Sequence, residues 1–506
     1  MRFGCFPSGG LLMNRRLLAL LAPILAGFCL AACSGLPSSG GGGGAGNGSL
    51  ILTMSANPLT PPPSTSVLSF SFSVSGVSLT PSSGSPINIP LPGSTFTVDL
   101  TRLESDSAFL GSVLNAVPAG TYTNVTLAIT GSSLTYCTQL NPGTQGCANG
   151  SVTTVSGAAA APVISKSITI TSNQTTALRI QVDLASALTV NSSTQVVTAV
   201  NLGAANVFSA AALPPSASSL STGQLDFIED FTGVVTALTS SSVTVTTSKH
   251  GAITAAANSS TFFSPNCTAA TPSLSACAAQ NQLAAIDVAL NSDGTFTLLE
   301  FDPLEPTASD WIEGLVTAVP SSSTQFQIVA NDIFLAPTSS LIGNNLSIGD
   351  PVTVNLATGA TFGVDTKGLI VPADATTFES ANDTSVLRAG QTVAVRVASF
   401  TAAGSSTPAS VSADFVGLRF SRVTGGVASS SPPNVFFINN LPPFFGVTGQ
   451  LQVQLNQAVS PDTAPTNFDG VPAFSSFTTG QTVSIRALYF GATSATPFTA
   501  AKVRTH

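Results

Sequence analysis

From Leu50 onward, apolar residues recur at every second position. Phe70, Phe72 and Val74 alternate with Ser69, Ser71, Ser73 and Ser75, and Leu178, Ile180, Val182 and Leu184 alternate with Arg179, Gln181 and Asp183. A period of two is that of the β-pleat, so each such segment places one face in a core and the other in water. Long helical periodicity is scarce, and Pro and Gly punctuate the runs. The chain is therefore expected to be all-β. Its strands up to about residue 211 read as a β-sandwich, transthyretin-like or immunoglobulin-like, spanning 50–211.

A Pro- and Ser-rich stretch, 212–226, forms a linker, after which the chain repeats itself. Gly390-Gln391-Thr392-Val393-Ala394-Val395-Arg396 returns as Gly480-Gln481-Thr482-Val483-Ser484-Ile485-Arg486, with a looser third copy in Leu346–Val354. Unit starts recur at Phe231–Ala237, Ile312–Ala318 and Val423–Val427. Short strands, glycine turns and few helices favour closure, which removes exposed sheet edges. Three small β-barrel modules are predicted, at 227–310, 311–419 and 420–506, the second carrying an insert around Thr361–Asp383.

Two resemblances accompany this reading. The turn Val117-Pro118-Ala119-Gly120-Thr121-Tyr122, with the strands Leu50–Met54 and Val98–Leu100, resembles an uncharacterised bacterial lipoprotein domain family of unknown function over roughly 50–210. Similar Pro-Ala-Gly-Thr-Tyr turns occur in transthyretin-like and collagen-adhesin B-type sandwiches. Where that family often has an acidic residue and Pro after the first strand, this chain has Ser55-Ala56-Asn57-Pro58. The repeats over about 227–506 resemble a second uncharacterised family, of short β-barrel units in exported bacterial proteins. Neither resemblance implies catalytic residues.

The N-terminus predicts an address. Arg15-Arg16 precedes an apolar run, Leu17–Leu30, too short to span a bilayer but of signal-peptide length. Leu30-Ala31-Ala32-Cys33 then reads as a lipobox, giving a signal peptide over 1–32 and lipidation at Cys33. Met13 is the expected natural start. Residues 33–49, rich in glycine from Gly40 to Gly44, form a flexible tether. Two or three acyl chains would make the membrane anchor effectively permanent. Ser34 carries no inner-membrane retention signal, so the outer membrane is the expected site, on either its periplasmic or its surface face.

Composition limits the partners. Charged residues make up 8% of the chain, the net charge is −8, and the mean hydropathy is +0.40. No later apolar stretch reaches spanning length, so the body is expected to be soluble. Fifteen basic residues scattered through the chain make no patch for a phosphate backbone, which excludes nucleic acid as a partner. Cys5 and Cys29 precede the cleavage site. Cys137 with Cys147, and Cys267 with Cys277, read as two local disulfides of an exported protein.

No recognisable catalytic constellation is present. His250 sits in Ser248-Lys249-His250-Gly251, a predicted hairpin turn, and His506 ends the sequence. No nucleophile elbow, zinc helix, Walker loop or dinucleotide fingerprint is found, and no cofactor is expected. Carboxylates thicken at Glu300, Asp302, Glu305, Asp310 and Glu313, after Asp226, Glu229 and Asp230. Paired carboxylates could serve glycoside hydrolysis, and Glu300, Asp302, Glu305 and Asp310 could ligate Ca²⁺, whereas Pro303 and Pro306 favour a stiff, solvated connector. Trp311 is expected to pack at a module junction or meet a partner. Phe436–Ile438 reads as a core strand followed by a partly covered Phe444-Phe445 tip, a candidate docking point.

The expectation is a lipid-anchored envelope protein with a non-catalytic binding, display or structural role. Its sandwich would lie nearest the membrane and its barrels would project beyond, with an envelope protein or a glycan as possible partner. The alternatives are a carbohydrate-acting envelope enzyme using the carboxylates near 300–313, and a structural partner in an envelope complex.

Overall fold

The computed structural model describes residues 46–58, 66–141, 146–148, 150–191, 193, 196–213, 220–306, 308–320, 324–370, 373–431, 434–447, 449–457, 465–471 and 477–506. The predicted signal peptide, Cys33, the glycine tether up to residue 45 and residues 214–219 of the linker lie outside the described residues.

The chain is all-β, as its two-residue period required. One sheet of the sandwich orders Phe208–Ala212, Thr175–Asp183, Asn47–Asn57 and Ala108–Pro118. The other is built on the long antiparallel pair Ser66–Pro81 and Gly120–Cys137, flanked by Ile87–Ile89, Phe96–Asp99, Val152–Gly157 and Val163–Ile170. Leu50, Leu52 and Met54 from the first sheet meet Phe70, Phe72, Val74 and Leu127 from the second. Each fully buried side chain of this size is worth about 1.5–3 kcal/mol. Tyr122, in the predicted Pro-Ala-Gly-Thr-Tyr turn, donates its hydroxyl to the Pro118 carbonyl at 2.8 Å.

Three five-stranded barrels follow. Barrel 1 has strands Gln224–Leu238, Ser242–Thr247, Gly251–Ala256, Leu283–Asn291 and Phe296–Glu305. Barrel 2 has Trp311–Ala318, Gln325–Phe334, Pro351–Val364, Thr392–Thr401 and Ala409–Arg419. Barrel 3 has Ser421–Ser431, Val435–Asn439, Leu451–Leu455, Thr482–Tyr489 and Phe498–Thr505. In each, the first strand pairs with the second and fourth, the third runs parallel to the fifth, and the fifth pairs with the fourth, which closes the ring. This is the strand order of the OB-type Greek-key barrel, a fold that by itself specifies no activity. The predicted insert of barrel 2 begins inside its third strand, at 361–364, and continues into the connection to the fourth, which contains the helix Ala373–Glu379.

One device recurs at the start of each fourth strand. Gly390 and Gly480 take φ of +95° and +87°, and Asn281 takes +68° at the matching place in barrel 1. The next residue is Gln282, Gln391 or Gln481. Its carbonyl accepts from Val235, Val316 or Val427 on the first strand at 2.8–2.9 Å, and its side chain accepts a backbone N–H three residues upstream. The true third copy of the Gly-Gln motif is therefore Asn281-Gln282. Leu346–Val354 instead leads into a third strand, and Asn hides the match because it tolerates left-handed backbone almost as glycine does.

The two cysteine pairs lie at disulfide distance, with Cα separations of 5.7 Å for Cys137–Cys147 and 5.2 Å for Cys267–Cys277. The first closes a loop at the end of the Gly120–Cys137 strand. There Gly146 N–H donates to Phe444 O of barrel 3 at 3.0 Å, and Cys147 N–H to Thr317 O of barrel 2 at 2.9 Å.

Sandwich and barrels form one compact unit from Gly46 to His506, rather than the projecting string of modules that the linker and repeats suggested. A single residue, the fully buried Phe420, separates the last strand of barrel 2 from the first of barrel 3, which leaves no length for a hinge. The strand faces expected in water are covered as well. Ser69 and Ser71 are buried beneath barrel 2, where Ser71 Oγ donates to Ile348 O and Thr135 Oγ1 to Gly349 O. Arg179, on the polar face of its strand, is buried in an ion pair with Asp226 of barrel 1 at 2.7 Å. Small hydroxylated side chains let another domain approach closely, and Ser71 and Thr135 supply it hydrogen bonds, while Ser69 Oγ has no partner.

An ionic core and the cavity above it

The barrels share a register that makes their outer faces comparable. In barrel 1, Phe231, Ile286 and Phe301 lie side by side across the first, fourth and fifth strands. Ile312, Val395 and Val416 do so in barrel 2, and Val423, Ile485 and Val503 in barrel 3. Because side chains alternate along a strand, the neighbours of these core residues point outward. They are Asp230, Asp287 and Glu300 in barrel 1, Trp311, Arg396 and Phe415 in barrel 2, and Arg422, Arg486 and Lys502 in barrel 3. Asp302, Gly417 and Arg504 extend the three rows. Barrel 1 is acidic where barrel 3 is basic.

These two faces meet inside the molecule. Arg422 lies 2.8 Å from Asp230, and Arg486 3.4 Å from Glu229 and 3.5 Å from Asp287. Lys502 pairs with Glu229. Barrel 2 contributes Arg419, 2.7 Å from Asp230 and 3.3 Å from Glu313 and also paired with Asp365, and Lys367, 2.9 Å from Asp287. From the sandwich, Arg102 lies 2.9 Å from Glu313, and Asp106 receives Arg422 at 3.0 Å. Arg504 caps the carbonyls of Leu103 and Asp106 at 3.1 and 2.7 Å. All four domains thus converge on one set of charges.

Burial and mutual attraction compete for each group. Burial alone would raise Asp230, but Arg419, Lys367 and Arg422 outweigh it and hold its carboxyl well below the ordinary range. Asp106 is likewise brought down to about 2 against its burial, by Arg422 and Arg486. Glu300 goes the other way. Its burial, with Asp287 and Asp302 adding to it, exceeds the pull of Lys367 and raises its pKa well above the usual value. Its Oε1 has no hydrogen-bond partner.

The sequence-predicted residues are dispersed by this arrangement. Glu300, Asp302, Asp310 and Glu313 are buried rather than forming a solvated connector, since Phe296–Glu305 is a barrel strand between two others. Asp302 accepts from Ser264 and from Asn266 Nδ2, the latter at 2.8 Å. Asp310 organises the loop after the second strand of barrel 2, accepting from Ala336 N, Ser340 Oγ and Ile342 N at 2.7–2.8 Å. Glu305 accepts from Ser309 Oγ at 2.9 Å and from Trp311 Nε1. The four suggested calcium ligands therefore serve different protein donors or, for Glu300, none. Among the described residues no group of three or more His, Cys, Asp or Glu is placed to hold a metal ion.

Trp311 is buried in the junction of barrels 1 and 2 with Val234, Leu283, Phe334 and Ala394, and meets Phe415 edge-on. Phe444 and Phe445 are buried too, against Tyr489 and Phe498 and beneath the Cys137–Cys147 loop. The tip offers little free surface, whereas Trp311 also lines a cavity of about 570 Å³ with Cys267, Pro303, Phe415 and Arg419. The tip is covered because Ser66 Oγ and Gly146 of the sandwich satisfy its backbone.

A cavity of about 70 Å³ opens onto one side of this core. Phe96, Leu103, Ala108 and Phe109 of the sandwich and Ile228, Phe231 and Ile253 of barrel 1 wall it. Arg102 and His250 reach into it, with side-chain exposures of 15% and 18%. His250 is in the hairpin turn between the second and third strands of barrel 1. Thr247 Oγ1 accepts from Lys249 N and His250 N, and Gly251 (φ +79°) lets the turn abut Pro92, where a Cβ would come within 2.4 Å of backbone. Thr97 N–H donates to Lys249 O at 2.8 Å, tying the turn to the sandwich. His250 Nε2 meets Asp332 Oδ2 of barrel 2 at 3.0 Å.

Arg102, Asp106, Asp287, Asp332, Lys367, Arg419, Arg422, Lys502 and Arg504 went unnoticed in the sequence, and Arg486 entered only as the last residue of a repeat. The available signal was the sign change at matched positions of the repeats, Asp287 against Arg486. Among known protein families and curated proteins, none matches the chain.

Proposed function

We propose that the protein is a lipid-anchored, non-catalytic component of the bacterial cell envelope whose fused body binds or supports a partner. The lipobox at Leu30–Cys33 supports the anchor. The carrying observation for the rest is the ionic core: opposite charges at equivalent positions join barrels 1 and 3, and barrel 2 and the sandwich close around them. Replacing such a buried network by apolar residues would often cost nothing in stability, so its use here is selection of one arrangement. A chain of related barrels could otherwise pair in several ways. Permanent tethering, two local disulfides and one compact unit suit a display or scaffold element exposed to proteases.

The test is metabolic labelling with palmitate, followed by fractionation of the wild type and Cys33→Ser. Label in the wild type, and transfer of the variant to the soluble fraction, are expected. An unlabelled wild type, or a variant that fractionates with it, would refute the anchor. Protease shaving of intact and permeabilised cells then assigns the membrane face.

A further inference from the structure

We infer that the cavity of about 570 Å³ between barrels 1 and 2 is a binding site for a small organic ammonium ion with an apolar body, held by the Trp311–Phe415 pair and the carboxylates of Asp365 and Glu379. The inference deepens the binding role proposed above and rests on that reading, but not on the lipid anchor.

The shared register of the barrels puts rings here. In barrels 1 and 3 the outward residues of the first, fourth and fifth strands are spent on each other in the ionic core. The matching row of barrel 2 carries Trp311 and Phe415 instead, and both line the cavity. Gly363 and Gly417 make room for the Phe415 ring, since a Cβ at either would come within 2.8 or 3.0 Å of it. Barrel 1 supplies the Cys267–Cys277 loop together with Pro303 and Leu304. Small-molecule sites commonly measure roughly 300–1,000 Å³ and combine apolar walls with a few polar groups. This cavity has both the size and the lining.

The charges around it are unevenly served. Arg419 is the one cation among the described lining residues, and each of its nitrogens has an acceptor: Glu313 for Nε, Asp365 for Nη1, Asp230 and Thr232 for Nη2. Glu305, Asp365 and Glu379 are the acids. Glu305 accepts from Ser309 Oγ and Trp311 Nε1. Asp365, only 8% exposed, gives one oxygen to Arg419, and its Oδ1 has no hydrogen-bond partner. Glu379, exposed at the end of its helix, makes no hydrogen bond or ion pair with a described residue. The cavity thus has spare acceptors and no spare cation. An ammonium ion answers both needs, because it donates charge-assisted hydrogen bonds to carboxylates and is attracted to aromatic faces. The Phe415 ring already takes one cation, Arg396, whose guanidinium carbon lies 5.8 Å from the ring centroid.

The test uses the full chain in detergent, titrated with benzylamine, benzyl alcohol and benzoate. Calorimetry gives the affinity, and indole fluorescence reports the site directly, since Trp311 is the only tryptophan of the chain. Benzylamine is expected to bind and to change the Trp311 emission. The alcohol should bind about tenfold or more weakly, as the loss of charge-assisted hydrogen bonds predicts, and benzoate should not bind. Glu379→Gln should weaken benzylamine about two- to fivefold, the range for one exposed charge, and Glu379→Lys should weaken it further. Both changes fall on an exposed side chain outside the ionic core, so the fold is retained. Benzyl alcohol or benzoate binding as tightly as benzylamine, benzylamine binding that leaves Trp311 emission unchanged or is indifferent to Glu379→Lys, or no benzylamine binding to the wild type would each overturn the inference. Palmitate labelling is untouched by any of these outcomes.

Discussion

Asp230→Asn tests whether the ionic core joins the domains. Asp230 is fully buried, and Arg419, Arg422, Lys367 and Arg102 approach it at 2.7, 2.8, 3.5 and 3.6 Å. Its backbone has φ +58°, which asparagine accepts, so the substitution removes a charge without adding strain. Losing one partner of a buried network typically costs about 3–5 kcal/mol, because the other charges stay desolvated. The consequence for melting depends on what unfolds together. With an unfolding entropy of about 2.1 cal/mol/K per residue, a unit of roughly 460 residues has about 1 kcal/mol/K, and 4 kcal/mol lowers Tm by about 4 °C. A barrel of roughly 85 residues melting alone would fall by about 20 °C. Scanning calorimetry of the full chain should therefore show one main transition displaced by a few degrees. A separate early transition displaced by some 20 °C would refute the fused-core reasoning. So would a displacement below about 1 °C.

The charge exchange Glu229→Lys with Lys502→Glu should recover much of the stability that either single change removes, read as a coupling energy from urea midpoints. Glu300→Gln should stabilise the protein at neutral pH. Its folded pKa is raised, so the stability it contributes is complete below the unfolded value near 4.5 and lost as pH rises through the folded one; the variant's urea midpoint should fall less with pH over that window. Asp106 has the opposite sign. With its pKa lowered from 3.8 to about 2, its contribution is present above pH 4 and lost as pH falls toward 2, and Asp106→Asn should flatten that limb of the acid-unfolding curve. Cys137→Ser with Cys147→Ser should cost about 2–3 kcal/mol by releasing a ten-position loop closure, measured by urea titration against the wild type with and without reductant.

How much of this was legible follows from which interactions are local. The alternation Phe70-x-Phe72-x-Val74 carries its own strand and inward face, and the Gly-Gln turns at Gly390 and Gly480 mark the same place in two barrels. The pairing of Cys267 with Cys277 needs only short spacing. The candidate site had no such mark, because Arg102, His250 and Asp332 come from three domains. Pro303 and Pro306 suggested a solvated connector, but a proline is tolerated near a strand's end, and burial there depends on the strands that flank it.

The sequence alone determined an all-β chain, a sandwich followed by three repeated barrels, and two local disulfides, since periodicity, turns and short loop closures act between near neighbours. Only the tertiary structure decided what the polar half of each strand does. Ser71, Arg179, Asp287 and Arg486 follow the same outward rule, yet they are buried, because outward from one sheet is inward to the next when domains pack directly on each other. Whether a charge meets water or an opposite charge depends on residues hundreds of positions away, and no local pattern encodes that distance.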